Sequence, residues 1–312
     1  MRKIRVCTCF SGYDSQCLSL DRLTEAYPDL FAYELVAWSE IDKYAIHAHN
    51  TLYPQWADRN LGDITKVDWQ KVPDFDLLTY SSPCQDFSNA GLQKGGEEGS
   101  GTRSSLLWEI RKAVLIKKPK FLLLENVKNL TSKKFFPLFQ KWMDELESYG
   151  YTNYWQVLNA KDYGVPQNRE RVFLVSILND DSIYHFPKPF TLDKFLIDIL
   201  EPEVDEKYYV SDQAIQGFLA HNENNERKRC TGFMKEPKLI QVLNLVTDEK
   251  NFTNPQRGRV YSSDGIAPAL NACGGGQSRT ENYCSDCQGL GIKQAGLSIS
   301  TSETLLIQST RK

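Results

Sequence analysis

The sharpest chemical signal in the chain is a cysteine in polar company. Ser81-Ser82-Pro83-Cys84-Gln85-Asp86-Phe87-Ser88 follows the apolar run Leu77-Leu78-Thr79-Tyr80. Proline restrains the backbone just before Cys84, and a thiolate held at such an edge attacks electron-poor carbon. A buried, inert thiol is the ordinary fate of cysteine. Hydroxyls, an amide and a carboxylate are poor core neighbours, however, and favour a nucleophile. Glu125-Asn126-Val127 leaves a second apolar run, Phe121-Leu122-Leu123-Leu124, where a carboxyl group suits a hydrogen-bond donor or general acid. In Gln167-Asn168-Arg169-Glu170-Arg171 the two arginines alternate. On extended chain they share a face and could grip a planar or phosphate group together. Between Gly91 and Gly101, five of eleven residues are glycine, the composition of a lid.

A second group of residues suits a nucleoside-bearing cofactor. The turn Phe10-Ser11-Gly12-Tyr13-Asp14-Ser15-Gln16 follows an apolar run; its glycine lets backbone N–H groups approach a ligand at a helix N-terminus. Trp38-Ser39-Glu40-Ile41-Asp42 ends the next run with a carboxylate, where a ribose would be held by its hydroxyls. Gly62-Asp63-Ile64 offers a further polar contact for an adenine. The turn lacks the G-x-G-x-x-G fingerprint, which weakens a nicotinamide oxidoreductase reading.

The elements that must carry these residues alternate. Strands are expected at 4–10, 31–39, 74–80, 121–124, 154–159 and 172–177, with helices at 15–26, 44–52, 104–116 and 135–149. The last helix has apolar residues at 135, 138, 139, 142, 143 and 146, a clear amphipathic period. Such alternation argues an α/β fold with a mixed, mostly parallel, doubly wound sheet, and ligands then sit beyond the carboxyl ends of the strands. After Pro187-Lys188-Pro189 the chain becomes richer in Asn, Gly and Pro. Residues 1–189 read as the catalytic and cofactor-binding domain, 190–280 as a smaller, loop-rich and partial domain, and 281–312 as the remnant of a closing segment.

Composition narrows the class. The chain has 312 residues, 41% of them hydrophobic and 25% charged, as in globular proteins. Its longest apolar runs fall far short of the roughly 20 residues of a membrane span, and Met1-Arg2-Lys3-Ile4-Arg5-Val6 does not read as a signal peptide. Residues 1–226 carry 25 Lys/Arg against 33 Asp/Glu, whereas from Arg227 onward there are 12 against 7. A basic tail on an acidic body points to a polyanionic partner, and a solvated basic face is the plain alternative. The eight cysteines show no disulfide spacing, so a reduced, cytoplasmic protein is expected. Cys284-x-x-Cys287 is at most half a zinc site, the four histidines show no metal spacing, and no metal is expected.

Phe10-x-Gly12, Glu40, Asp63, Pro83-Cys84-Gln85, Glu125-Asn126-Val127 and Gln167-x-Arg169-x-Arg171 occur in an order and at spacings that resemble the DNA (cytosine-5)-methyltransferase family. The resemblance covers about residues 1–178. It implies a Rossmann-like methyltransferase fold and transfer of a methyl group from S-adenosyl-L-methionine to C5 of cytosine in double-stranded DNA. It implies that Cys84 attacks C6 of a flipped base. Glu125 would hold the N3 and amine edge, and Arg169, with Arg171 in support, would steady the base. Phe10, Gly12, Asp14, Glu40, Ile41, Asp63, Ile64, Pro83 and Leu106 would form the cofactor pocket.

By the same resemblance, residues after 190 begin a target-recognition domain, a restriction endonuclease is a possible partner, and the protein is a monomer from a prokaryote or phage. Two departures stand out. Tyr13-Asp14 replaces a second glycine in the turn, and Leu297 replaces an asparagine in the last motif, Lys293–Ile299. The C-terminus therefore reads as shortened, with apolar residues on the first helix, Leu18 and Leu20, left exposed. An RNA cytosine-5 methyltransferase and a catalytically impaired DNA- or cofactor-binding remnant are the alternatives.

Overall fold

The computed structural model describes residues 3–83, 98–100, 103–179, 183–200 and 265–268, with the backbone of 241–244, 259–262, 296–299 and 303–307. They fall into two compact units, residues 1–158 with 170–187, and residues 159–169 with 188–312. The first unit contains β1 (Ile4–Cys9), α1 (Ser15–Ala26), β2 (Tyr33–Ser39), α2 (Lys43–Leu52), β3 (Leu77–Tyr80), α3 (Ile110–Lys117), β4 (Phe121–Val127), α4 (Phe136–Ser148) and β5 (Tyr151–Asn159). After β6 (Gln167–Asn168), which belongs to the second unit, it closes with β7 (Glu170–Leu178).

Six strands form one sheet in the order β2-β1-β3-β4-β7-β5. β1 runs parallel to β2 and β3, β3 runs parallel to β4, and β7 is antiparallel to β4. This is the mixed, mostly parallel sheet that the strand–helix alternation predicts. β1 is followed on one side by β2 and on the other by β3. That reversal is the switch point beyond which an open α/β sheet binds its ligand.

The helix period of 135–149 is realised in α4, whose Leu138, Phe139, Trp142, Met143 and Leu146 are all buried. Trp142 Nε1 donates to the Tyr80 hydroxyl at 3.0 Å, and Trp108 meets the Trp142 ring edge-on at 5.7 Å. Tyr80 is the last residue of β3, so this packing anchors the strand end from which Ser81-Ser82-Pro83 departs. Truncating a core aromatic of this kind costs about 3–5 kcal/mol.

Several boundaries differ from the sequence reading. β4 does not stop at Leu124: its ladder with β7 continues through Glu125↔Phe173 and Asn126↔Val172 to Val127↔Arg171. Glu125 is therefore a strand residue, held by pairing that apolar run length does not report. The expected helix 104–116 opens as a 3-10 turn, Arg103–Glu109, before α3; the tighter winding accompanies burial of Leu107, Trp108 and Ile110 together. β3 starts at Leu77 rather than Asp74, and the Asp76 carboxylate instead accepts the Arg5 N–H at 2.9 Å. On α1, Leu18 is 40% exposed as expected, but Leu20 packs against the cluster of Val6, Cys17, Leu35 and Trp38.

In the second unit β8 (Gln241–Asn244), β9 (Arg259–Ser262), β11 (Gly296–Ile299) and β12 (Glu303–Ile307) form a sheet in the order β11-β12-β9-β8, and the two-residue β10 (Ala267–Pro268) pairs in parallel with β6. Leu297 lies within β11, opposite Leu305. Among the described residues no helix is long and apolar enough to cross a membrane.

Candidate active site

The turn after β1 departs from ordinary backbone at three alternate positions. Phe10, Gly12 and Asp14 all have positive φ, 56°, 60° and 68°. For the two that are not glycine this costs about 1–2 kcal/mol each, so other contacts must hold the shape. Ser11 N–H donates to the Ser39 carbonyl at 3.2 Å, and Gly12 N–H donates to Glu40 Oε2 at 2.9 Å. The turn and the end of β2 are thereby joined. Among the described residues nothing lies within 4 Å of the place a Gly12 Cβ would occupy.

Glu40 is fixed from several directions. Its Oε1 accepts the N–H groups of Ile41 and Asp42 at 2.8 and 2.9 Å. Asn60 clasps its backbone, Oδ1 accepting the Glu40 N–H at 3.2 Å and Nδ2 donating to the Glu40 carbonyl at 3.1 Å. The same Oδ1 accepts the Gly62 N–H at 2.9 Å, which brings the 60–63 segment to the end of β2. Ile41 is 71% exposed beside this carboxylate. Asp63 caps the turn that follows it, accepting the Thr65 hydroxyl at 2.8 Å and the Thr65 N–H at 3.0 Å. Those hydrogen bonds, the hydroxyl's first, hold its carboxyl below the ordinary range. Ile64 is buried in the main core, against which Leu106 packs half-buried.

The Asp14 side chain turns inward. It is fully buried, caps α1 by accepting the Cys17 N–H at 3.2 Å, and accepts the Thr8 hydroxyl at 2.7 Å. Burial pushes its pKa up to about 6, against the opposing pull of those two donors. His49, given no role by its spacing, lies with Nε2 3.7 Å from Asp14 Oδ2. Its only sequence signal is its place on the buried side of α2, three residues after Ile46.

At the end of β3, Ser81 N–H donates to the Cys9 carbonyl at 3.3 Å, and the Ser81 hydroxyl accepts from Gln16 Nε2 at 3.1 Å. Asn126 Nδ2 reaches both the carbonyl and the hydroxyl of buried Ser82, at 3.2 and 3.3 Å, while its Oδ1 accepts the Val127 N–H at 2.9 Å. One amide thus joins the ends of β3 and β4. It puts Glu125, one residue before Asn126, beside the strand end that leads through Pro83 to Cys84. Cys84 itself lies outside the described residues, and of the glycine-rich stretch only 98–100 are described.

Glu125 Oε1 is 3.0 Å from Arg171 Nε, with both side chains partly exposed. Arg171, expected in a supporting role, is thus an arginine in contact with the carboxylate. Arg169 belongs to the second unit, where its N–H donates to Asn159 Oδ1 at 3.0 Å. The described site therefore holds a carboxylate–guanidinium pair at one strand end, a braced serine-proline approach to a thiol at the next, and an open glycine turn with a carboxylate at the third.

Residues 4–310 match the family model described as C-5 cytosine-specific DNA methylase. The chain is 52% identical over 158 residues to the Type II methyltransferase M2.ScrFI of Lactococcus lactis subsp. cremoris, covering 51% of this chain and 44% of that protein. It is 42% identical over 223 residues to the Type II methyltransferase M.NlaX of Neisseria lactamica, covering 72% of this chain and 67% of that protein. The match thus spans less than half of the first relative and about two thirds of the second. The fold is similar to that of the Entamoeba histolytica methyltransferase EhMeth, with a TM-score of 0.56 at 18% identity over 70% of this chain and 67% of that one.

Proposed function

The chain belongs to the C-5 cytosine-specific DNA methylase family, and on that footing we propose that it transfers a methyl group from S-adenosyl-L-methionine to C5 of cytosine in double-stranded DNA. The observation that supports this reading is the Asn126–Ser82 link, which joins the end of β4, where Glu125 pairs with Arg171, to the segment that precedes Cys84 in sequence. Attack on a flipped pyrimidine needs a thiol and a carboxyl group at one site, and Cys84 follows in sequence the segment that Asn126 braces beside Glu125.

The residues present fit the cofactor. Gly12 leaves room for close backbone approach, Glu40 stands at the end of β2 where ribose hydroxyls are held, and exposed Ile41 offers an apolar face for an adenine. Asp63 would supply a polar contact at the base, Phe10, Pro83 and Leu106 would complete the walls, and Asp14 would act by shaping the turn. Bound there, S-adenosyl-L-methionine supplies an electrophilic methyl carbon.

Cytosine C6 is reached only from above the ring, so the base must leave the duplex stack at a cost of a few kcal/mol. Cys84 then adds its sulfur to C6, and the C5–C6 π electrons move into the ring toward N3. Glu125 holds the N3 and amine edge, a proton shared between its carboxyl group and N3 neutralises that charge, and Arg171 orients Glu125 while Arg169 steadies the base. C5 would then take the methyl carbon, whose bond to the cofactor sulfur breaks with the electron pair staying on that sulfur. Loss of the C5 proton to a base and departure of the Cys84 thiolate restore the aromatic ring.

The second unit would read the target sequence, and its basic residues would make DNA binding salt-dependent. A cognate restriction endonuclease, a monomeric state and a cytoplasmic setting in a prokaryote or phage-infected cell complete the proposal. The test is incubation with labelled cofactor and either mixed-sequence duplex DNA or tRNA, followed by sequencing for 5-methylcytosine. Methylation of DNA at one recurring sequence supports the proposal. Methylation of tRNA alone, or of neither, overturns it.

A further inference from the structure

The buried imidazole of His49 is not used by the mechanism above. His49 is fully buried, and among the described residues its Nε2 has no hydrogen-bond partner. Its ring stacks on Trp38 at a centroid distance of 3.7 Å and an interplanar angle of 17°, which fixes the plane of the imidazole. Nε2 lies 3.7 Å from Asp14 Oδ2. That oxygen already accepts the Thr8 hydroxyl, and the other carboxylate oxygen accepts the Cys17 N–H.

The four elements that meet here border both sides of the cofactor crevice. Thr8 lies in β1 and Cys17 in α1, on either side of the Phe10–Asp14 turn. Trp38 lies in β2, two residues before Glu40, and His49 lies in α2, which follows the Glu40–Asp42 loop. The buried approach of His49 to Asp14 therefore brings α2, which follows the carboxylate loop, within 3.7 Å of the glycine turn. The tie matters because Asp14 sits in left-handed backbone that glycine adopts without strain and aspartate does not. A carboxylate at that position needs buried polar partners; Thr8 and Cys17 donate to it, and α2 brings the His49 imidazole within 3.7 Å.

We propose that His49 is a positioning residue, holding Asp14 so that the Phe10–Asp14 turn stays in register with Glu40. The role in cofactor binding rests on the S-adenosyl-L-methionine reading above; the role in shaping the turn does not. Asp14 and His49 thus do together what a second glycine would do by backbone freedom alone. A small movement of either ring or carboxylate closes 3.7 Å to a hydrogen bond.

The test uses the full chain and three substitutions, with a fourth, Asp14→Asn, held for a variant that does not fold. His49→Phe keeps a flat ring for Trp38 and removes both nitrogens. His49→Gln keeps an amide N–H near the Nε2 position. Asp14→Gly removes the carboxylate and relieves the backbone. In the ligand-free chain, His49→Phe should speed amide hydrogen exchange across Ser11–Cys17 roughly tenfold, and His49→Gln should restore part of the protection. The dissociation constant for S-adenosyl-L-methionine should rise about tenfold with kcat at saturating cofactor unchanged. In the Asp14→Gly background, His49→Phe should change neither quantity.

Exchange unaltered by His49→Phe, or an effect of equal size in the Asp14→Gly background, overturns the proposal. If the wild-type chain does not bind S-adenosyl-L-methionine, the cofactor reading falls while the exchange data still decide the tie. If His49→Phe does not fold, the 15N signal of His49 Nε2 in the wild-type chain decides instead. It should move on Asp14→Asn substitution, and an unmoved signal counts against the contact.

Discussion

Asp14 makes the stability of this protein depend on pH in the sense opposite to most carboxylates. Its side chain is fully buried, and its pKa is raised from 3.8 to about 6, chiefly by desolvation. The folded chain therefore holds a proton that the unfolded chain has released. This contribution is fully present below pH 3.8 and is lost as pH rises through about 6. At 1.36 kcal/mol per tenfold change in proton affinity, the loss amounts to about 3 kcal/mol. Asp63, Asp68, Glu98 and Glu145 have lowered values and act in the opposite direction. So does His49, whose pKa burial lowers. The wild-type profile alone would mix these signs.

Comparison with Asp14→Asn, which mimics the protonated acid, isolates the term. Urea unfolding at pH 4, 5, 6 and 7 should show the Asn variant gaining on wild type by up to about 3 kcal/mol as pH rises. A difference that stays constant with pH, or that grows toward acid, would refute the reasoning.

Four further outcomes are expected. Duplex DNA carrying 5-fluorocytosine should trap the wild-type chain covalently and should not trap Cys84→Ala, which should still bind cofactor; trapping by the variant removes Cys84 from the mechanism. Glu125→Gln should lower kcat by on the order of 10² with little change in DNA affinity, and an unchanged kcat would leave Glu125 a structural residue. Asn126→Ala leaves the buried Ser82 groups without their donor and should destabilise the chain by about 1–3 kcal/mol while lowering the rate of trapping; trapping at the wild-type rate would mean that Asn126 does not position the nucleophile. Trp142→Ala should cost about 3–5 kcal/mol in denaturant unfolding, and a loss below 1 kcal/mol would contradict its place in the core.

The alternation of apolar runs and helical periods sufficed for the fold class, because parallel strands buried on both faces are written as continuous apolar sequence. α4 was readable residue by residue, since its 3.6 period is a local property of the chain. The candidates Cys84 and Glu125 were legible by the same route, because each follows an apolar run that had to be a strand.

What the sequence did not decide are the meetings between elements. Glu125 sits inside β4 because β7, about fifty residues later, pairs with it as far as Arg171. Arg171 reaches Glu125 through that same register, which no spacing rule contains. Asn60 clasps Glu40, and Asn126 clasps Ser82, across chain separations of 20 and 44 residues. His49 looked like one more residue on an apolar helix face. Periodicity reports that a face is buried, but not which polar groups it meets there. Only the packing of α2 over β2 set His49 on Trp38 and brought its imidazole to Asp14, and Asp14 could replace a glycine because burial supplied the partners that its strained backbone requires.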